Sequence, residues 1–156
     1  MRLVFWVAAV IFVADQVVKY LVVHILDLAF VGAIDVFPPY LNLRMAWNYG
    51  INFGLFAQAS DSVRWVLIAV ALVISAGVLW WIRKDPPGRW GLVAAGLLVG
   101  GALGNVVDRV IYGAVADFLN MSCCGIENPY AFNIADISIF AGALGLILFT
   151  SEKKAP

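Results

Sequence analysis

The sequence predicts an all-α integral membrane protein with four transmembrane helices. Three observations carry that reading. First, 63% of the 156 residues are hydrophobic and only 13% are charged, where a soluble domain has about 25% charged residues. Second, apolar segments near 3–24, 63–82, 90–111 and 134–150 each fall in the range of roughly 17–25 residues that cross a bilayer as a helix. Third, the basic residues are distributed by side. Arg2, Arg83, Lys84, Arg89, Lys153 and Lys154 fall on one side of a four-span chain, and the opposite loops, about 25–62 and 112–133, hold only Arg44 clear of the helix ends. By the positive-inside rule both termini are cytoplasmic. The mean hydropathy is +0.94. The net charge is zero, which gives no pull toward nucleic acid.

The first segment reads as a permanent span. Asp15 and Lys19 follow its apolar run within the same helix, without the small-residue site at which a signal peptide is cut, and no N-terminal cysteine is placed for lipid attachment. In the first outer loop, alternating apolar residues around 41–47 predict one or two short strands, with Pro38-Pro39 and Gly50 as punctuation. The stretch that follows, "GINFGLFAQAS", suits a short amphipathic helix on the membrane surface. The second and third spans are joined by the tight turn "RKDPPGR", with Trp80, Trp81 and Trp90 beside it, as interfacial aromatics. No internal repeat or low-complexity segment divides the chain, so residues 1–156 form one polytopic domain.

Polar groups sit at one depth. With a rise of about 1.5 Å per residue, Asp15 and Lys19 lie roughly 20–25 Å up helix one, and Asn105, Asp108 and Arg109 roughly 22–29 Å up helix three. Asp136 lies at the outer end of helix four, at the same level. Asp15 with Lys19, and Asn105 with Arg109, are four apart and share a helix face. A charge at the bilayer centre costs about 2.5–3.5 kcal/mol on the mildest scale, so these groups are expected to turn inward and pair. Asp117 follows Gly113, where the chain can bend back over the bundle in a loop and bring Asp117 to Asp136. Two close carboxylates share a proton. The ionised one can activate water against a peptide carbonyl, and the protonated one can hydrogen-bond that carbonyl and protonate the leaving amine.

Each residue also has a plainer reading. Asn133 and Asp136 form an ordinary helix cap. Asp15 and Lys19 form a structural ion pair. Asn105 and Arg109 serve as interhelical polar contacts, beside Gly100, Gly101 and Gly104, which allow close packing. Asp117 alone is a loop aspartate. A proton-coupled carrier would use the same acids as a relay, but carriers bind near the midplane between repeats, and here the acids crowd one end. A non-catalytic assembly subunit would tolerate Asp-to-Asn changes. A Ser-His protease would need His24, at the outer end of helix one, paired with an activated serine, and Ser75 lies near mid-helix two with no such marker around it, so His24 reads as an interfacial residue. Cys123 and Cys124 are adjacent, which lacks the spacing of zinc ligands.

The pieces "DQVVK" (15–19), "NYGINFG" (48–54), "GGALGNVVDR" (100–109), "VADF" (115–118) and "FNIAD" (132–136) resemble, in order and across essentially the whole chain, those of lipoprotein signal peptidase, the bacterial signal peptidase II. The resemblance implies an intramembrane aspartic endopeptidase of the cytoplasmic membrane, with its active site near the outer leaflet, that cuts diacylglyceryl-modified prolipoproteins before the lipidated cysteine. It implies Asp117 and Asp136 as the catalytic pair. Asp15, Lys19, Asn48, Asn105, Arg109 and Asn133 would support that pair or order the site, with Asp108 structural. It also implies a small extracytoplasmic β-cradle, a short surface helix, and neither metal nor cofactor. Two places depart from the family's pattern: the loop "LNMSCCGIENPYA", and Asn52 in place of a small apolar residue.

Overall fold

The structure, a computed structural model, describes residues 1–50, 61–125 and 128–151. Of the expected surface helix over 50–60, residues 51–60, Asn52 among them, lie outside the described residues, as do Lys153 and Lys154. Among the described residues, five α-helices and three strands follow one another. They are α1 (Arg2–Tyr20), α2 (Leu28–Val31), β1 (Ala33–Phe37), β2 (Leu41–Asn48), α3 (Asp61–Lys84), α4 (Arg89–Tyr112), β3 (Val115–Asn120) and α5 (Ile134–Ser151). A π-helical turn, Leu21–Ile25, prolongs α1. Arg2–Ile25, Asp61–Lys84 and Arg89–Tyr112 are long and apolar enough to cross a membrane, and the apolar helix Ile134–Thr150 is shorter.

Helix α4 is the central one. Of its apolar window 61% is buried, against 17% for α1 and for α3, and it packs on α1, α3 and α5. Its small residues allow this. A Cβ at Gly100 would lie 2.6 Å from the carbonyl oxygen of Ala8 in α1, and one at Gly101 2.5 Å from that of Ala135 in α5. Both neighbours are backbone and cannot rotate away. Gly101→Ala is therefore expected to force α5 off α4, at a cost on the order of 1–3 kcal/mol for overpacking. A melting temperature equal to that of the wild type would show that the helices can part freely. The outward faces of the other helices carry large apolar side chains, among them Trp6, Val73 and Phe140, which suits lipid as solvent.

The strands form one antiparallel sheet in the order β1-β2-β3. The chain leaves α4 at Gly113, whose φ of 80° ends the helix in a left-handed cap, with its N–H donating to Arg109 O at 3.1 Å. Val115 then pairs with Asn48, and Asp117 with Ala46. Asp117 is thus on a strand, a correction to the loop placement expected from the sequence. The expectation failed because its partner strand lies some seventy residues away in sequence, and "VADF" alone carries too short an alternation to reveal pairing. Phe118, Leu28 and Val22 seat the sheet on the end of α1.

Candidate active site

Three asparagines organise the site, and each is oriented by a group that can only donate. Asn48 ends β2, diagonal to Asp117 across the ladder. Its Oδ1 accepts from Gly50 N at 3.2 Å, which turns its Nδ2 to donate to Asp117 Oδ2 at 3.1 Å. Asn133 caps α5: its Oδ1 accepts from Asp136 N at 2.8 Å, and its Nδ2 donates to Asp117 Oδ1 at 2.6 Å. One side chain thus caps α5 and bonds Asp117. Asn105, on α4, accepts from Lys19 Nζ at 3.1 Å and donates from Nδ2 to Asp136 Oδ1 at 2.9 Å. Three of the four carboxyl oxygens of Asp117 and Asp136 therefore accept an amide N–H. Asp136 Oδ2 is buried and without a hydrogen-bond partner among the described residues.

Beneath the asparagines lies an ion cluster. Lys19 Nζ, 3% exposed, is 2.9 Å from Asp15 Oδ2 and 2.7 Å from Asp108 Oδ2. The two carboxylates also grip the backbone beside the two aspartates. Asp15 Oδ1 accepts from Ala135 N at 2.9 Å, next to Asp136, and Asp108 Oδ2 accepts from Ala116 N at 3.2 Å, next to Asp117. Gln16, which sequence reasoning passed over, joins both acids: its Nε2 donates to Asp15 Oδ2, Asp108 Oδ1 and Gly104 O. Its place beside Asp15 in "DQVVK" was the available signal. Gly104 makes room, since a Cβ there would lie 2.5 Å from Asp15 Oδ2.

Arg109 was expected to pair inward with an acid. Among the described residues its hydrogen bonds go to backbone: Nη2 donates to Gly50 O at 2.9 Å and Nη1 to Asn105 O at 3.4 Å. Its Nε is buried and without a partner among the described residues. Arg109 thus ties α4 to the end of β2 and leaves one donor near Asp136.

Electrostatics mark Asp117. Burial, and next the negative charge of Asp136, raise its pKa from 3.8 to about 7, against the hydrogen bonds from Asn48 and Asn133. Asp117 is 2% exposed. Asp136, Asn48, Asn105 and Arg109 form the polar end of a cavity of about 450 Å³, whose remaining wall is apolar residues of α3, α4 and α5 such as Leu67, Ile74, Leu98 and Ile139. Asp117 is not part of that wall, but Asn48, which bonds it, is.

The other candidates fall elsewhere. His24 Nε2 meets Tyr112 Oη at 2.9 Å on the exposed surface, and Ser75 is buried in α3. Cys123 and Cys124 are joined in a disulfide on the β3–α5 connection. The neck of that connection is held by Asn120 Nδ2, which donates to the carbonyls of Asn128 and Tyr130 at 2.7 and 2.8 Å. Among the described residues no three His, Cys, Asp or Glu side chains converge as metal ligands would.

A family model described as signal peptidase II matches residues 7–151. A lipoprotein signal peptidase of Alteromonas mediterranea is 40% identical over 144 residues, 92% of this chain and 77% of that one. One from Methylorubrum extorquens is 46% identical over 118 residues, 76% of this chain and 67% of that one. A bacterial membrane enzyme solved by the in meso method at 1.9 Å superimposes with a TM-score of 0.81 at 29% identity, over 99% of this chain and 96% of that one.

Proposed function

Since the chain belongs to the signal peptidase II family, and is thereby an aspartic-type peptidase of the bacterial inner membrane that removes signal peptides from prolipoproteins, we propose that its catalytic pair is Asp117 and Asp136. The observation that carries this is the convergence of three oriented amides on those two carboxyl groups. The cut falls before the lipid-bearing cysteine of a diacylglyceryl-modified substrate. Four spans cross the membrane: α5, of 18 residues, is about 27 Å long, close to the roughly 30 Å of hydrocarbon. Both termini are cytoplasmic, and the dyad sits near the outer leaflet.

The hydrogen bonding supports one division of labour within the pair. Both oxygens of Asp117 accept amide N–H groups, which favours its ionised form. Among the described residues, Asp136 Oδ2 is the one oxygen of the pair without a hydrogen-bond partner, which suits it to the role of the acid. Asp117 draws a proton from water as the water oxygen bonds to the scissile carbonyl carbon. Asp136 Oδ2–H donates to the carbonyl oxygen while it gains charge, then gives its proton to the amine nitrogen as the C–N bond breaks. A proton passing from Asp117 back to Asp136 resets the pair. Arg109 Nε supplies a further donor to the substrate backbone.

A pH profile follows. The value of about 7 for Asp117 includes the charge of Asp136, so it marks where the pair gives up its last proton. The singly protonated dyad is lost above it, and kcat/KM is expected to fall about tenfold per pH unit above roughly pH 7. A flat profile to pH 9 would remove the shared proton from the mechanism.

The cavity between α3, α4 and α5 is the proposed seat of the signal peptide's end, because it joins an apolar trough open to lipid with the polar groups around Asp136. Photocrosslinks from the last turn of the signal helix should appear at Ile74 and Ile139. Crosslinks confined to the faces of α3 and α5 that look away from this trough would refute it.

A further inference from the structure

A second trough runs along the bundle at the end away from the dyad. Helices α1 and α3 both pack on α4, and between them lies a cavity of about 510 Å³ lined by Val4, Ala8, Ala9, Phe12, Leu79 and Arg83, among others. That volume is in the range of ligand sites, about 300–1,000 Å³. Its floor belongs to the apolar core of the bundle, which includes Val4, Val99 and Leu79.

Two features of the trough select its occupant. From Met1 to Phe12 it extends along α1 for about 16 Å, close to half of the roughly 30 Å hydrocarbon core, hence to one leaflet. Among the described residues, the one formally charged side chain in its wall is that of Arg83, at the end where Arg2, Lys84 and Arg89 also begin or finish their helices. A long apolar slot with a cationic rim at one end matches a molecule with an anionic head and a tail one leaflet long. We propose that this trough binds an anionic glycerophospholipid of the leaflet on the side of Arg83. The acyl chain lies against Ala8, Ala9 and Phe12, and the phosphate meets Arg83. The site is separate from the peptidase chemistry, so its failure would leave that reading untouched.

The test uses the full chain, purified and delipidated in neutral detergent. Phosphatidylglycerol and phosphatidylcholine with identical acyl chains are added, and retained lipid is counted by native mass spectrometry. Phosphatidylglycerol should be retained roughly fivefold better, the factor that about 1 kcal/mol per basic residue near an anionic headgroup corresponds to. Arg83→Gln should abolish that preference, and Ala9→Phe, which fills the slot, should lower retention of both lipids. Prolipoprotein cleavage by each variant checks that it is folded. Equal retention of the two lipids by the wild type, or a preference untouched by Arg83→Gln, overturns the proposal even if Ala9→Phe does not fold. So does efficient disulfide linkage of two copies through Ala9→Cys, which would make the trough a contact between copies of this chain.

Discussion

Asp117→Asn and Asp136→Asn are each expected to lower kcat/KM for a lipid-modified prolipoprotein by about 10²–10⁴-fold, the range for losing a positioned acid or base. The double variant should be no worse than the weaker single, because the two carboxyl groups act as a unit. Cleavage before the lipidated cysteine is followed in detergent, and each variant's melting temperature is measured beside it. The melts carry independent information about Asp117. Its pKa is raised from 3.8 to about 7, chiefly by burial, so the folded pair keeps up to about pH 7 a proton that the unfolded chain releases. The stability it contributes is fully present below about pH 3.8 and is lost as pH rises through about 7. Asp117→Asn cannot ionise. It loses part of the hydrogen bonding to Asn48 and Asn133 at every pH, but it should gain melting temperature relative to the wild type between pH 4 and pH 8. Near-normal cleavage by either folded variant would make that aspartate structural and end the two-carboxylate mechanism. A wild type that does not cut would bring the proton-coupled carrier forward.

Lys19→Met is expected to damage stability more than any other single change in the site. Methionine has a similar shape, but it leaves Asp15, 0% exposed, and Asp108, 1% exposed, as two buried acids without their cation. Breaking a buried ion pair on one side costs about 3–5 kcal/mol. The loss should also reach catalysis through geometry. Lys19 fixes the amide of Asn105 that bonds Asp136, and its two carboxylate partners hold the backbone N–H groups of Ala135 and Ala116 beside the dyad. Combining Lys19→Met with Asp15→Asn and Asp108→Asn removes the stranded charges, so melting temperature should recover while kcat stays depressed. Recovery of both would reduce Lys19 to a structural counter-ion. A Lys19→Met chain as stable as the wild type would show that the cluster is already neutralised in some other way.

How much of this was legible in the sequence depends on the range of the interactions. The long apolar segments and the basic turn could be read directly, because a bilayer acts on every residue by its transfer free energy and a span needs only local composition. The one-level clustering of Asp15, Lys19, Asn105, Asp108 and Asp136 was legible for the same reason: helical rise converts residue number into depth. The motif order then identified the candidate pair, because it collects groups from four separated pieces of chain.

Strand β3 and the hydrogen-bond assignments were not legible. Asp117 sits on a strand only because "VADF" pairs with residues 46–48 of β2, a contact whose partner no local pattern names. Arg109 donates to the carbonyl of Gly50, a backbone partner from another segment that no local pattern names. Which oxygen of Asp136 stays without a donor depends on three amide orientations, each set by a donor from another segment. Composition and spacing pointed to the apolar helices and to the shared depth of the polar groups, and the resemblance proposed the two aspartates. The tertiary structure alone decided which groups face which, because hydrogen bonds are short and directional and their partners here lie far apart in the chain.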